Sequence, residues 1–229
     1  MRTLGLLAGM SWESTIPYYR RINEAVRERL GGLHSAKLVL YSVDFAEIER
    51  LQMQGDWDEA GRRLAAAAAA LARAGAEALV ICTNTMHKVA PAIEAGSGLP
   101  LLHIADATAA RIRAAGLTRI GLLGTRFTME QDFYRERLVS RGLEVLVPED
   151  DQRELVHRVI YDELCRGVVR EDSRERYREV MADLVRRGAQ GIILGCTEIG
   201  LLVGDADTTV PTFDTTRIHA QAAADWALD

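Results

Sequence analysis

The stretch GAEALVICTNT, residues 75–85, returns in altered form as GAQGIILGCTEI, residues 188–199. In both, a Gly-Ala step leads into a short aliphatic run that ends in a cysteine followed at once by threonine. An apolar run of about four to eight residues after a glycine reads as a buried strand. Cysteine ordinarily packs inside such a strand as a small hydrophobe, yet here it stands twice at the polar edge. The repeat reaches further out. GLLAGM at residues 5–10 returns as GLLGTR at residues 121–126, and a proline with an aspartate and a threonine downstream closes each half. Gly5 to Cys82 is 77 residues and Gly121 to Cys196 is 75; Cys82 to Pro100 is 18 and Cys196 to Pro211 is 15.

Around these anchors, aliphatic runs alternate with helical patterns. Strands are expected at Thr3–Ala8, Lys37–Ser42, Ala78–Cys82, Leu101–Ile104, Arg119–Leu123, Glu144–Val147, Gly191–Leu194 and Val210–Phe213. Amphipathic or alanine-rich helices are expected at Asp58–Ala74, Met129–Arg141, Glu149–Arg166 and Arg174–Arg187. Strand-helix alternation implies βαβ crossovers and a mainly parallel sheet. The class is α/β, with two similar lobes, 1–104 and 105–214, related by an approximate two-fold. The run Ala65–Ala70 carries no chemistry: alanine is the best helix former, and its small side chain lets a helix lie close to a sheet.

Composition narrows the function. With 28 Lys plus Arg against 33 Asp plus Glu and no basic stripe, the chain lacks the electrostatic footprint of a nucleic-acid binder. No apolar stretch approaches the roughly 18 residues a membrane helix needs, and the apolar start is too short for a signal-peptide core, which predicts a cytoplasmic protein without membrane contact. Three cysteines do not make a disulfide framework. No C-x-x-C pair or H-x-x-x-H pair offers metal ligands, so no metal is expected. No glycine-rich nucleotide loop is present. Of the two lysines, Lys37 and Lys88, only Lys88 lies near the cysteine motif, and a pyridoxal phosphate site built on it would leave the paired cysteines unexplained. No cofactor is expected.

Each cysteine is thus predicted at the carboxyl end of a parallel strand, where open α/β sheets bind ligands. Two such thiols, approaching one molecule from opposite sides, suit inversion of a stereocentre: one removes a proton and the other returns it to the opposite face. Thr83, Asn84, Thr85 and Thr197 are good helix caps, which places each cysteine at a strand-to-helix turn with backbone N–H groups able to hold a carboxylate. A helix N-terminus there would tune a thiol from about 8.5 toward neutrality.

The segments GLLAGMSWESTIPYY, ICTNTMHK, LHIADAT and LGCTEIGLL together resemble the aspartate/glutamate racemase family, in particular its amino-acid racemases of broad or acidic specificity. The likeness spans essentially the whole chain. It implies a cofactor-independent two-base mechanism on a small amino acid, two α/β lobes, a homodimer, and a C-terminal helix, 215–229, packed back on the first lobe. By motif match it implies Cys82 and Cys196 as the catalytic pair, and Thr83, Asn84, Thr85 and Thr197 as carboxylate contacts. Met10, Ser11 and Thr125 would line the cleft, with Glu198 beside the second thiol. Narrow aspartate racemases of this family hold the side-chain carboxylate with an arginine and a lysine; here Gln52 falls at the first place and Cys165 or Arg166 at the second. Specificity broader than aspartate, or set by Lys88, Arg126 or Arg166, is implied.

Plainer readings stand beside these. Cys165 lies in a helical pattern with Leu155, Val159 and Leu164 and reads as packing. Ser11 reads as a turn or cap residue. His87 reads as a structural histidine or one that orients the thiol, and Lys88 as a neighbour of the motif. A maleate-type isomerase or hydantoin racemase would use the same fold. A small-anion-binding or redox-sensing protein would use the thiols as a reversible bridge, a role that needs no Thr-Asn-Thr pocket.

Overall fold

The aliphatic run at the amino terminus forms β1 (Leu4–Ala8), buried at every position. After it come α1 (Trp12–Leu30), β2 (Leu38–Ser42), α2 (Phe45–Gln54), α3 (Trp57–Arg73), β3 (Ala78–Ile81) and α4 (Ala90–Ser97). β1 pairs in parallel with β2 on one side and β3 on the other. This computed structural model describes residues 1–229, and the chain divides into two units: Met1–His103 with His219–Asp229, and Ile104–Ile218.

The first unit is layered on both faces of its sheet. On one face, Leu7, Leu79 and Ile81 pack with Leu64, Ala67, Ala68 and Leu71 of α3. Asp56 caps that helix by accepting the Glu59 N–H. The alanine run brings α4 close as well as the sheet: a Cβ on Gly96 would lie 2.6 Å from Ala65 Cβ. On the other face, Leu4, Leu6, Ala78 and Val80 pack with Tyr18 and Ile22 of α1 and with Ala220, Ala223, Ala224 and Ala227. Those alanines come from the chain's last helix, which returns to this unit.

The second unit contains α5 (Ile104–Ala114), β4 (Arg119–Gly124), α6 (Arg126–Glu130), α7 (Asp132–Ser140), β5 (Glu144–Leu146), α8 (Asp150–Asp162), α9 (Glu171–Arg186), β6 (Ile192–Gly195), α10 (Ile199–Leu202) and β7 (Thr212–Asp214). α11 (Thr215–Leu228) starts here and ends in the first unit. Its four strands run in the order β5-β4-β6-β7, all parallel. The two sheets share a plan: β1 and β4 lie inside, with β3 and β6 beside them. The repeated glycines explain themselves by contact, since a Cβ on Gly5 or on Gly121 would come within 2.8 Å of Ala76 Cβ or Ile192 Cδ1.

Several expected boundaries differ, and α9 begins at Glu171, three residues before the expected Arg174. Leu101–Ile104 is no strand: Leu79 makes one parallel bridge to Leu101, and Ile104 already opens α5. The expected helix Met129–Arg141 is broken at Gln131, whose ψ of 147° is extended. The helix expected over Glu149–Arg166 stops at Asp162, because Glu163 leaves helical geometry and its carboxylate takes the Ser173 hydroxyl; a single 3₁₀ turn, Leu164–Arg166, follows. The last strand is set one to two residues later than expected, at Thr212–Asp214. No helix is long and apolar enough to cross a membrane.

Candidate active site

In the first unit, the carboxyl ends of β1 and β3 lie side by side, joined by the Cys82 N–H to Leu7 carbonyl bond of 2.9 Å. Beyond β1, Gly9 turns with φ +88°, and a Cβ there would meet the Val43 carbonyl at 2.4 Å, so only glycine fits. Thr15 fastens this turn. Its hydroxyl accepts the Gly9 N–H at 3.0 Å and donates to the Ser11 carbonyl at 2.9 Å. Met10 and Ser11 are thereby held buried. Ser11 occupies the position before α1, as a cap would, but its side chain makes no capping bond.

Beyond β3, Cys82 is fully buried, and its Sγ has only a 3.7 Å contact with the Val80 carbonyl. Thr83, Asn84 and Thr85 are buried too, an arrangement that demands polar partners. The chain then makes a 3₁₀ turn, Thr85–Val89. Asn84 precedes that turn without capping it, and Glu198 likewise precedes α10 without a side-chain cap. The expected threonine and asparagine caps are therefore corrected: neither turn carries a side-chain cap, the first because it opens as 3₁₀ rather than α-helix and the second because Glu198, not Thr197, holds the cap position. Gln52, at the end of α2 and buried, donates from Nε2 to Met86 Sδ at 2.9 Å, next to Thr85. His87 donates from Nδ1 to the Thr83 carbonyl at 2.8 Å. Lys88 turns elsewhere, with Nζ 4.1 Å from the Trp57 ring centre, in a groove shared with Asp58 and Arg62.

In the second unit, Gly124 of β4 and Gly195 of β6 are register partners, so Thr125 and Cys196 leave adjacent strands at the same level. Thr125 caps α6, accepting the Thr128 N–H. Cys196 Sγ donates to Glu198 Oε2 at 3.0 Å, and the Thr197 hydroxyl donates to the same oxygen at 2.7 Å. All three side chains are buried. Arg126 is half exposed against Glu154 at 3.7 Å, and Arg166 is exposed. Cys165, read from sequence as packing, does pack on the apolar cluster that contains Cys196.

The thiols are not tuned toward neutrality as expected. Burial pushes the Cys82 thiol well above its ordinary range. Cys196 is pushed up by burial first and then by the Glu198 carboxylate. Neither cysteine stands at the N-terminus of a helix long enough to offset desolvation. Sequence reasoning also missed His103 and His219, which pack with His87, and Tyr18, which packs with His219. The His103 ring centroid is 4.4 Å and that of His219 5.9 Å from His87. His103 lies in the LHIADAT segment, but only the return of α11 brings His219 to it.

The whole-chain comparisons agree with this architecture. The profile of the Asp/Glu/hydantoin racemase family matches residues 7–223. A Yersinia pestis protein of known crystal structure is 63% identical with a TM-score of 0.93, each chain being covered completely. An aspartate racemase homologue from Pyrococcus horikoshii OT3 is 35% identical with a TM-score of 0.86, again over all of both chains. The broad-specificity amino-acid racemase RacX of Bacillus subtilis is 21% identical over 226 residues, 96% of this chain and 95% of that one. Equivalent thiols at the ends of β3 and β6, in two units of one plan, sit in a chain that belongs to the Asp/Glu/hydantoin racemase family.

Proposed function

We propose that the chain interconverts the enantiomers of a free α-amino acid without an organic cofactor. Cys82 and Cys196 form the pair of bases: one, as thiolate, takes the Cα proton, and the other, as thiol, delivers a proton to the opposite face, with the roles exchanged in reverse. One observation carries the reading. The two thiols follow topologically equivalent strands, each trailed by threonine, in a family of racemases.

The remaining residues take supporting roles. Thr83, Asn84, Thr85 and Thr197 supply hydroxyl, amide and backbone donors for the α-carboxylate, with Met10, Ser11 and Thr125 on the adjoining turns. Glu198, bonded to Cys196 Sγ, keeps that cysteine a thiol at rest and accepts its proton when it must act as base. Binding of the substrate places an α-ammonium near each thiol, and a nearby positive charge lowers a thiol's pKa against the desolvation that raises it. Gln52 is neutral and offers an amide where an arginine would offer a charge. The substrate range therefore extends past aspartate to amino acids with uncharged side chains. The same reading makes the enzyme a cytoplasmic homodimer.

The test is proton NMR of the purified protein with L-aspartate, L-glutamate and a panel of other L-amino acids in D₂O, paired with chiral chromatography and no added cofactor. Loss of the Cα proton signal together with appearance of the D-enantiomer is expected. Retention of that proton with every amino acid would overturn the reading, and small dicarboxylates and hydantoins would then be the substrates to try.

A further inference from the structure

Behind the Cys82 turn lies a buried stack of side chains that the two-base chemistry does not itself use. Tyr18, His87 and His219 are almost wholly buried, and His103 nearly so. The bonds assign the tautomers. His219 Nε2 faces the Leu102 carbonyl at 2.7 Å and His87 Nδ1 faces the Thr83 carbonyl at 2.8 Å. A carbonyl only accepts, so both of those nitrogens carry hydrogen. The Tyr18 hydroxyl then donates to the bare Nδ1 of His219 at 2.8 Å. The His219 ring sits edge-on to Tyr18 and packs against His87, whose other neighbour is the His103 ring. The result is a column from α1 and α11 to the backbone turn that follows Cys82.

We propose that His87 is a positioning residue for Cys82, clamping the Thr83 carbonyl through its Nδ1–H, and that Tyr18, His103 and His219 hold its ring in the clamping orientation. The inference rests on Cys82 being one of the two bases. The turn that follows is 3₁₀ rather than α-helical, and Asn84 before it makes no side-chain cap. The His87 Nδ1–H bond ties the Thr83 carbonyl to a buried ring. An aromatic column also suits this place better than a longer polar chain, since a flat ring locked by neighbours on both sides loses little freedom on binding substrate. In this arrangement α11, though it follows the second unit in sequence, takes part in orienting a thiol of the first.

His87→Asn keeps a donor near the Nδ1 position, while His87→Leu removes it. The expected result is that the leucine variant loses about 10²-fold in kcat, the scale of a 1 Å misplacement, while the asparagine variant keeps most of the parental rate. Equal loss in both, or loss in neither, overturns the proposal. A structural defect would lower activity without changing which step limits it, so the isotope effect separates the two. With α-deuterated enantiomers, the leucine variant should show a larger deuterium effect on kcat/KM for the enantiomer that Cys82 deprotonates and a smaller one for the other. Unchanged effects for both overturn the proposal. Should the leucine variant not fold, ¹⁵N NMR of histidine-labelled parental protein still decides: His87 must be neutral with hydrogen on Nδ1, and the opposite tautomer overturns the clamp. If the parental protein exchanges no Cα proton of any amino acid, it is the racemase reading that has failed. If it racemises but His87 is indifferent, only this inference has.

Discussion

The Sγ of Cys196 lies 3.0 Å from Glu198 Oε2, the same oxygen that takes the Thr197 hydroxyl. A buried carboxylate beside a buried thiol makes the thiolate expensive, because two negative charges would share a site of low polarity. The carboxylate is thus a brake on ionisation and also the nearest acceptor for the thiol proton.

Replacing Glu198 by glutamine keeps the shape and removes the charge. The Cys196 thiol should then ionise at lower pH, since one of the causes that push it up is gone. The pH dependence of iodoacetamide labelling at Cys196, read by mass spectrometry, should move toward acid. Turnover should fall by about 10²–10⁴-fold if the carboxylate also relays the proton. A labelling profile that stays where it was contradicts the assigned contact.

Cys82→Ser should abolish racemisation in both directions, because each direction needs both groups. Exchange of the Cα proton of one enantiomer can survive through Cys196 alone. No D-enantiomer should be detected, with D₂O exchange retained for one enantiomer only. Racemisation at the parental rate would remove Cys82 from the mechanism.

The pH profile of kcat/KM should rise toward alkaline values. Both thiols are pushed up in the free protein, and kcat/KM reports the free enzyme. The productive form has one thiolate and one thiol, so activity should still be climbing above pH 8, near the ordinary thiol range of about 8.5. An optimum at or below pH 7 would show that the ligand-free protein already holds a stabilised thiolate.

Helix packing gives a prediction on which two effects disagree. Gly96 lies inside α4, where alanine is favoured over glycine by about 1 kcal/mol. Its missing Cβ, however, would sit 2.6 Å from Ala65 Cβ and 3.2 Å from Ala65 Cα on α3. Backbone cannot step aside as a flexible side chain can, and overpacking costs about 1–3 kcal/mol. Gly96→Ala should therefore lower the urea midpoint. A raised midpoint would mean that α3 and α4 separate easily.

The cysteines, their strand-end placement and the parallel order of both sheets were legible because they are written locally, as aliphatic runs with a repeated ending. What was not legible depends on tertiary contact. The sequence at Gln131 continues a helical pattern, yet the backbone there is extended. Thr83 and Asn84 look like caps, but the turn they enter is 3₁₀. The thiols look tunable until burial is known, since desolvation is invisible in a motif. The family resemblance implies that the last helix packs back on the first lobe, but not that it carries His219, 132 residues beyond His87 in the numbering, to the His87 ring.

That histidine column is expected to make the fold labile to acid. Burial holds His219 down to about 4, and His87 is held well below its usual range by burial and then by His103 and His219. In the unfolded chain each returns to about 6.5. Between those values the unfolded state binds protons that the folded state refuses, so stability rises with pH and is lost as pH falls from about 6.5 toward 4. Each such proton contributes a slope of about 1.4 kcal/mol per pH unit. Asp205 acts in a different window. The Thr212 hydroxyl and N–H hold its carboxylate low, so its stabilisation is lost only below about pH 4. Urea midpoints measured every half unit from pH 7 to 4.5 should decline steadily in the parental protein. His219→Gln, which carries no titrating ring, should decline less steeply over the same range. Equal slopes in the two proteins would mean that His219 takes up its proton without unfolding, and the column would not be the acid-labile element.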